Sequence, residues 1–169
     1  MEKISTLKDA FVVKLKSLYD VEDQLVEALP KLADAATHPD LKSAFQEHVA
    51  ETQEHMSNLE KCFGILTIKP EKLKGDAIRG LISDSKWMLK EDLNKAVLDA
   101  MLIGTALYVE HYEMAGYTTA VSWASLLEYP EVADILSGVL ADEEAAADKL
   151  AALAEEAINE RALNMNSGM

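Results

Sequence analysis

The stretch YVEHYEMAGY, residues 108–117, sets Glu110 and Glu113 one helical turn apart in an otherwise apolar run. Carboxylates at i and i+3 share a helix face, and here that face should be apolar. Three other segments carry the same anomaly. Glu22 falls on the apolar stripe of the first helical segment and Glu143 on that of the last. In the second, His48 and His55 lie on the stripe, and Glu51 stands at its edge one turn before His55. Ionised carboxylates in an apolar core must be paired or neutralised. No Lys or Arg occupies the stripes at this level, so the groups are protonated, water-filled or ligands to cations. Two divalent ions would cancel four of the five charges of Glu22, Glu51, Glu110, Glu113 and Glu143. Oxygen-rich ligation with an imidazole from His55 suits iron first and manganese next, ahead of magnesium or calcium.

Each position also has a plainer reading. Glu22 alone is a residue at the rim of a core, and His48 a core histidine hydrogen-bonded to a neighbouring helix. Tyr117, one turn past Glu113, is a core tyrosine or a donor to a carboxylate. Met101, Met114, Trp87 and Trp123 read as core, Glu144 and Asp148 as a solvated face, and Cys62 as a small buried hydrophobe. Convergence favours the metal reading: one helix after another places a glutamate on its stripe. At ~1.5 Å rise per residue, Glu22, Glu51, Glu113 and Glu143 stand at one depth from their hairpin ends, with Glu110 a turn deeper beside His55.

Long helices must do this positioning. Apolar residues at spacings of three and four, beginning Phe11, Leu15 and Leu18, predict a helix over 6–36. Pro30 lies inside it and is expected to kink it or end it early. THPD (37–40) is a break, with Pro39 as a first helical residue and Thr37 or His38 at the cap. The second helix runs to 66, a connection covers 64–75, and a short helix covers 76–89. The third long helix spans 91–127, and Pro130 starts a fourth that reaches 162. Two hairpins joined by one long connection predict an all-α, ferritin-like four-helix bundle with a short extra helix in the crossover. Residues 1–162 form that bundle and 163–169 a flexible tail.

Composition agrees. A chain of 169 residues with 49% hydrophobic content is one domain with a sizeable core, and 7 Gly and 4 Pro leave few helix breakers. A net charge of −14 argues against nucleic acid and against an anionic membrane as partner. Cys62 is the single cysteine, so neither an intrachain disulfide nor a thiolate zinc site is available. The start, MEKISTLKDAFVVKLKSL, has lysines throughout and no uninterrupted apolar segment, which predicts no signal peptide and a cytoplasmic location.

LYDVEDQLVEALPKLADAA, AFQEHVAET, EHYEMAGYTTA and LADEEAAADKLAALA occur in this order. Together they resemble the YciE/YciF-like family of bacterial ferritin-like stress proteins, over about residues 5–155. The resemblance implies a ferritin-like homodimer with a di-iron-type centre and a link to stress. By position, its ligands fall on Glu22, Glu51, Glu110 and Glu143, with Glu113 as the second glutamate of EHYE and His48 as the family's histidine. His55 stands where relatives usually have Gln, which adds a nitrogen donor. Ala147 stands where many carry Asp one turn after the fourth-helix glutamate, which removes a ligand from that helix. Two function classes remain open. One is a redox centre that oxidises ferrous iron with oxygen or peroxide. The other is a helical scaffold whose site is vestigial or structural, the reading that Ala147 favours.

Overall fold

The computed structural model describes residues 4–164. Its elements are α1 (Leu7–Ala35), α2 (Pro39–Ile65), α3 (Asp76–Met88), α4 (Lys95–Leu126) and α5 (Pro130–Leu153). A π-helical turn, Ala154–Ile158, follows, and then α6 (Asn159–Asn164). The described residues contain no strand. The chain is therefore helical to Asn164, and residues 165–169 of the expected tail lie outside the described residues.

Local chemistry sets the ends. Thr6 and Asp9 form a capping box, with Asp9 N–H donating to Thr6 Oγ1 at 3.1 Å and Thr6 N–H to Asp9 Oδ2 at 2.9 Å. Pro39 and Pro130 both begin helices, where a missing N–H costs nothing. His38 is the cap of α2, its Nδ1 accepting from Asp40 N–H. Pro30 neither ends α1 nor displaces it from the core, since the helix continues to Ala35 with Leu32 and Ala33 buried. Burial of such side chains, ~1.5–3 kcal/mol for a leucine, offsets the lost hydrogen bond. α4 starts at Lys95 and not at 91, because Asn94 supplies the cap by accepting from Ala96 N–H at 2.9 Å.

The helices pack as two antiparallel hairpins, α1–α2 and α4–α5, which meet through α2 against α5 and α1 against α4. The α1–α2 turn lies beside the start of α4, where Thr37 bonds Asp99. α2 and α4 thus run the same way, and residues 66–94 must return the chain along the bundle. Hydrogen bonds from Leu73 N–H to the Lys16 carbonyl and from Gly75 N–H to Asp20 pin this crossover to α1. α3 lies on the outside of α1 and α4. It buries Ile78 and Ile82 and leaves Trp87 53% exposed, so Trp87 is not core. Met101, Met114 and Trp123 are partly buried, and Cys62 is fully buried as expected.

The apolar core is divided in two. One cluster gathers Leu25, Leu32, Leu41, Phe45, Leu102 and Leu150 around the α1–α2 turn. The other gathers Phe11, Leu15, Leu59, Phe63, Tyr117 and Leu136 at the opposite end. On α2, α4 and α5 a polar stretch separates the two, and Glu22 of α1 stands at their boundary.

Candidate metal centre

Glu22, Glu110, Glu113 and Glu143 all lie in this polar layer, each no more than 2% exposed. They come from α1, α4 (two residues) and α5, as the stripe positions predict. α2 contributes His48 and His55, both buried. These six side chains form two adjoining groups that share one residue. His48, Glu110, Glu113 and Glu143 have donor atoms within 4.8 Å of one another, and so do Glu22, His55 and Glu143. Glu143 links the two groups through different oxygens. Its Oε2 lies 3.8 Å from His48 Nε2, and its Oε1 lies 3.1 Å from His55 Nδ1.

Hydrogen bonding leaves much of this layer unsatisfied. Glu113 has neither oxygen bonded, nor has Glu143, and one oxygen each of Glu22 and Glu110 is bare, as is His55 Nδ1. His55 Nδ1 and Glu143 Oε1 approach to 3.1 Å without being aligned as a hydrogen bond. Buried polar atoms are ordinarily paired, and an unpaired one costs ~1–3 kcal/mol. Atoms that crowd one another yet do not bond are what a donor set for a cation requires. The oxygen-rich set with two imidazoles fits iron or manganese.

Each histidine has one ring nitrogen turned toward the cluster and the other toward a carboxylate outside it. His48 Nε2 lies 3.4 Å from Glu110 Oε1, and its Nδ1 lies 3.0 Å from Glu51 Oε2. His55 Nδ1 faces Glu143 and Glu22, and its Nε2 lies 3.4 Å from Asp142 Oδ2. A carboxylate on the far nitrogen orients an imidazole and raises its basicity as a ligand. Glu51 is therefore not among the clustered donors. At the edge of its stripe it turns outward, its side chain 50% exposed, and reaches the site only through His48. Asp142 lies one residue off the α5 stripe, and nothing in the sequence distinguishes it from a solvated acid.

Electrostatics follow from burial. Burial pushes the Glu110 carboxyl up to about 8, with the His48 charge opposing and Glu143 reinforcing. Glu113 is raised well above the usual range, first by burial and then by Glu143 and Glu22. Glu22 is also raised by burial, against the pull of the nearby His55 imidazole. Burial alone would lower both histidines. The Glu51 bond with the Glu110 and Glu143 charges instead raises His48 to about 9. Glu143 and Glu22 raise His55 to about 10. These shifts favour the protonated forms of Glu110, Glu113, His48 and His55 in the metal-free layer. Tyr117, fully buried, donates its hydroxyl to Glu22 Oε1, so it is both core and a partner of the site. Next to it Gly116 permits α4 to close on α1: a Cβ there would come 2.8 Å from Leu18 Cδ2.

On one side the site opens. A cleft of about 110 Å³ between α2 and α5 runs from exposed Glu47, Glu51, Asp142 and Lys149 down to His48 and Glu110. Ala147 is buried at 5% exposure, and Glu144 and Asp148 face outward as expected.

The domain of unknown function DUF892 matches residues 6–163. The chain belongs to this family. It is 34% identical to the protein YciF of Escherichia coli over 162 residues, covering 95% of this chain and 98% of that one. The crystal structure of that stress protein superposes with a TM-score of 0.86 at 32% identity, over 98% of this chain and all of the other. YcfI of Rhodopseudomonas palustris, described as a candidate structural protein, gives 0.86 at 36% identity, over 88% of this chain and 95% of that one. The family relationship and the bundle both agree with the ferritin-like fold read from the sequence. No helix among the described residues is long and apolar enough to cross a membrane.

Proposed function

We propose that this chain is a YciF-like stress protein whose polar layer would hold two metal ions, with Glu143 common to both donor groups and iron preferred to manganese. The observation that carries the reading is the set of unbonded, buried donor atoms arranged in two groups around one shared carboxylate. His48, Glu110 and Glu113 would hold one ion, and Glu22 and His55 the other. Bound iron would supply one-electron exchange with oxygen or peroxide. The chain's own residues supply the rest: Glu143 spaces the positions, Glu51 and Asp142 orient the imidazoles, and Tyr117 holds one oxygen of Glu22. The second position has three protein donors to the first's four. Fewer donors leave room for a small oxidant. The same reading has the chain acting in the cytoplasm as a homodimer.

Aerobic oxidation of ferrous iron, or consumption of peroxide, by the iron-loaded chain tests this function. Turnover above the rate of free iron is expected. Its absence in fully loaded protein would contradict the redox role.

A second reading has a specific support. With His48 and His55 protonated and Glu110 and Glu113 neutral, the layer persists without metal. The chain would then be a helical scaffold in the stress response, consistent with the description of YcfI. Unchanged stability on adding iron or manganese would favour it.

A further inference from the structure

A cleft between α2 and α5 leads from the surface to the site. Its floor is His48 with Glu110, 2% exposed and with one oxygen unbonded. Its α5 wall presents the small Ala145 and Ala146 beside Leu150, and Phe45 lines it from α2. Its lip carries three carboxylates, Glu47, Glu51 and Asp142, against one cation, Lys149. Lys149 is bound to Glu47 across the lip, joining α5 to α2, and both side chains are about half exposed.

From these features we infer that the cleft is the route by which divalent cations reach the site, with the Lys149–Glu47 pair as its latch. The inference rests on the metal-binding reading above. Carboxylates at the lip raise the local cation concentration, a field effect that salt screens. An exposed ion pair contributes little stability, ~0–1 kcal/mol, so it opens readily. When Lys149 swings away, Glu47 is uncovered as a first landing point. Glu51 and Asp142 come next, and each already touches a histidine of the site. The path thus descends from exposed to buried carboxylates along Phe45 and Leu150 at the edge of the apolar core.

The test is the rate at which cobalt(II) enters metal-free protein, followed by its visible absorption after rapid mixing. Uptake by the wild type should slow as salt rises. Glu47→Lys should slow uptake about tenfold and weaken its salt dependence. Lys149→Ala should speed it, and Ala146→Phe, which fills the cleft, should slow it. The final cobalt content of each should equal the wild type's. Because the Glu47 and Lys149 changes lie on the exposed lip, they test the route even where Ala146→Phe fails to fold. Equal uptake rates in wild type and variants, with normal final content, would overturn the route while leaving the site intact. A reduced final content in the lip variants would also overturn it, by making the lip part of the site. Absence of cobalt binding in the wild type would overturn the metal-binding reading and the route together.

Discussion

Asp99 and Glu113 stand on the same helix, α4, and both are wholly buried. Their surroundings are opposite. Asp99 accepts from Thr37 N–H at 2.7 Å, Thr37 Oγ1 at 2.6 Å, His38 N–H at 3.0 Å and Arg161 at 3.1 Å. It fastens the α1–α2 turn and the chain beyond α5 to the start of α4. Glu113 has no partner at either oxygen, and its neighbours are other carboxylates and the His48 imidazole. Both are buried acids, but only one is explained by the fold. A carboxylate whose oxygens all find donors is architecture. One that is buried, bare and beside other acids is not accounted for by the hydrogen bonds of the fold.

Substitutions at the two residues should therefore act with opposite signs. Asp99→Ala strands two backbone N–H groups and leaves Arg161 without its partner. A loss of about 3 kcal/mol in urea unfolding is expected, with metal content unchanged. Glu113→Met removes a desolvated acid and keeps its volume. The metal-free protein should become more stable by about 1–3 kcal/mol while losing metal. A metal-free Glu113→Met protein that unfolds more easily would break the comparison.

Smaller changes sharpen it. Asp142→Ala and Glu51→Ala free the outer nitrogens of His55 and His48 but remove no ligand. Metal affinity by calorimetry should fall about 10- to 100-fold, with stoichiometry kept. Full loss of one ion in Glu51→Ala would return Glu51 to the ligand set. A further effect is on pH. In the metal-free fold Glu110 keeps its proton to about 8, against 4.5 ordinarily. His48 and His55 keep theirs to about 9 and 10, against 6.5. The fold binds more protons than the unfolded chain over this range. The stabilisation is full below these ordinary values and is lost as pH rises through the shifted ones. The Tm of metal-free protein should fall continuously between pH 6 and 9, with the same slope in Asp99→Ala. A flat profile would remove the proton-filled layer.

How far the sequence reaches follows from the same contrast. Glu22, Glu110, Glu113 and Glu143 were legible because helical period alone puts them on apolar stripes, and period survives packing. Glu51 was not, since a residue at a stripe's edge turns in or out according to the facing helix, and the cleft beside α5 lets it turn out. His48 sits on the stripe one heptad before His55, a visible signal, but its role depends on Glu110 and Glu143 of other helices. Asp142 has no local signature at all. Trp87 was misjudged because the packing of α3 against only one side of the bundle is a tertiary fact. Pro30 was tolerated because core burial on both sides outweighed a local rule.

The most direct test of the central claim is metal content by mass spectrometry, on protein purified without chelator or affinity metal and then offered iron(II) or manganese(II). Wild type and Glu113→Met should be measured side by side. Bound iron or manganese in the wild type, at up to two ions per chain and lost in the variant, is the predicted result. No metal in either, before or after loading, would contradict it and leave the buried carboxylates to their protons.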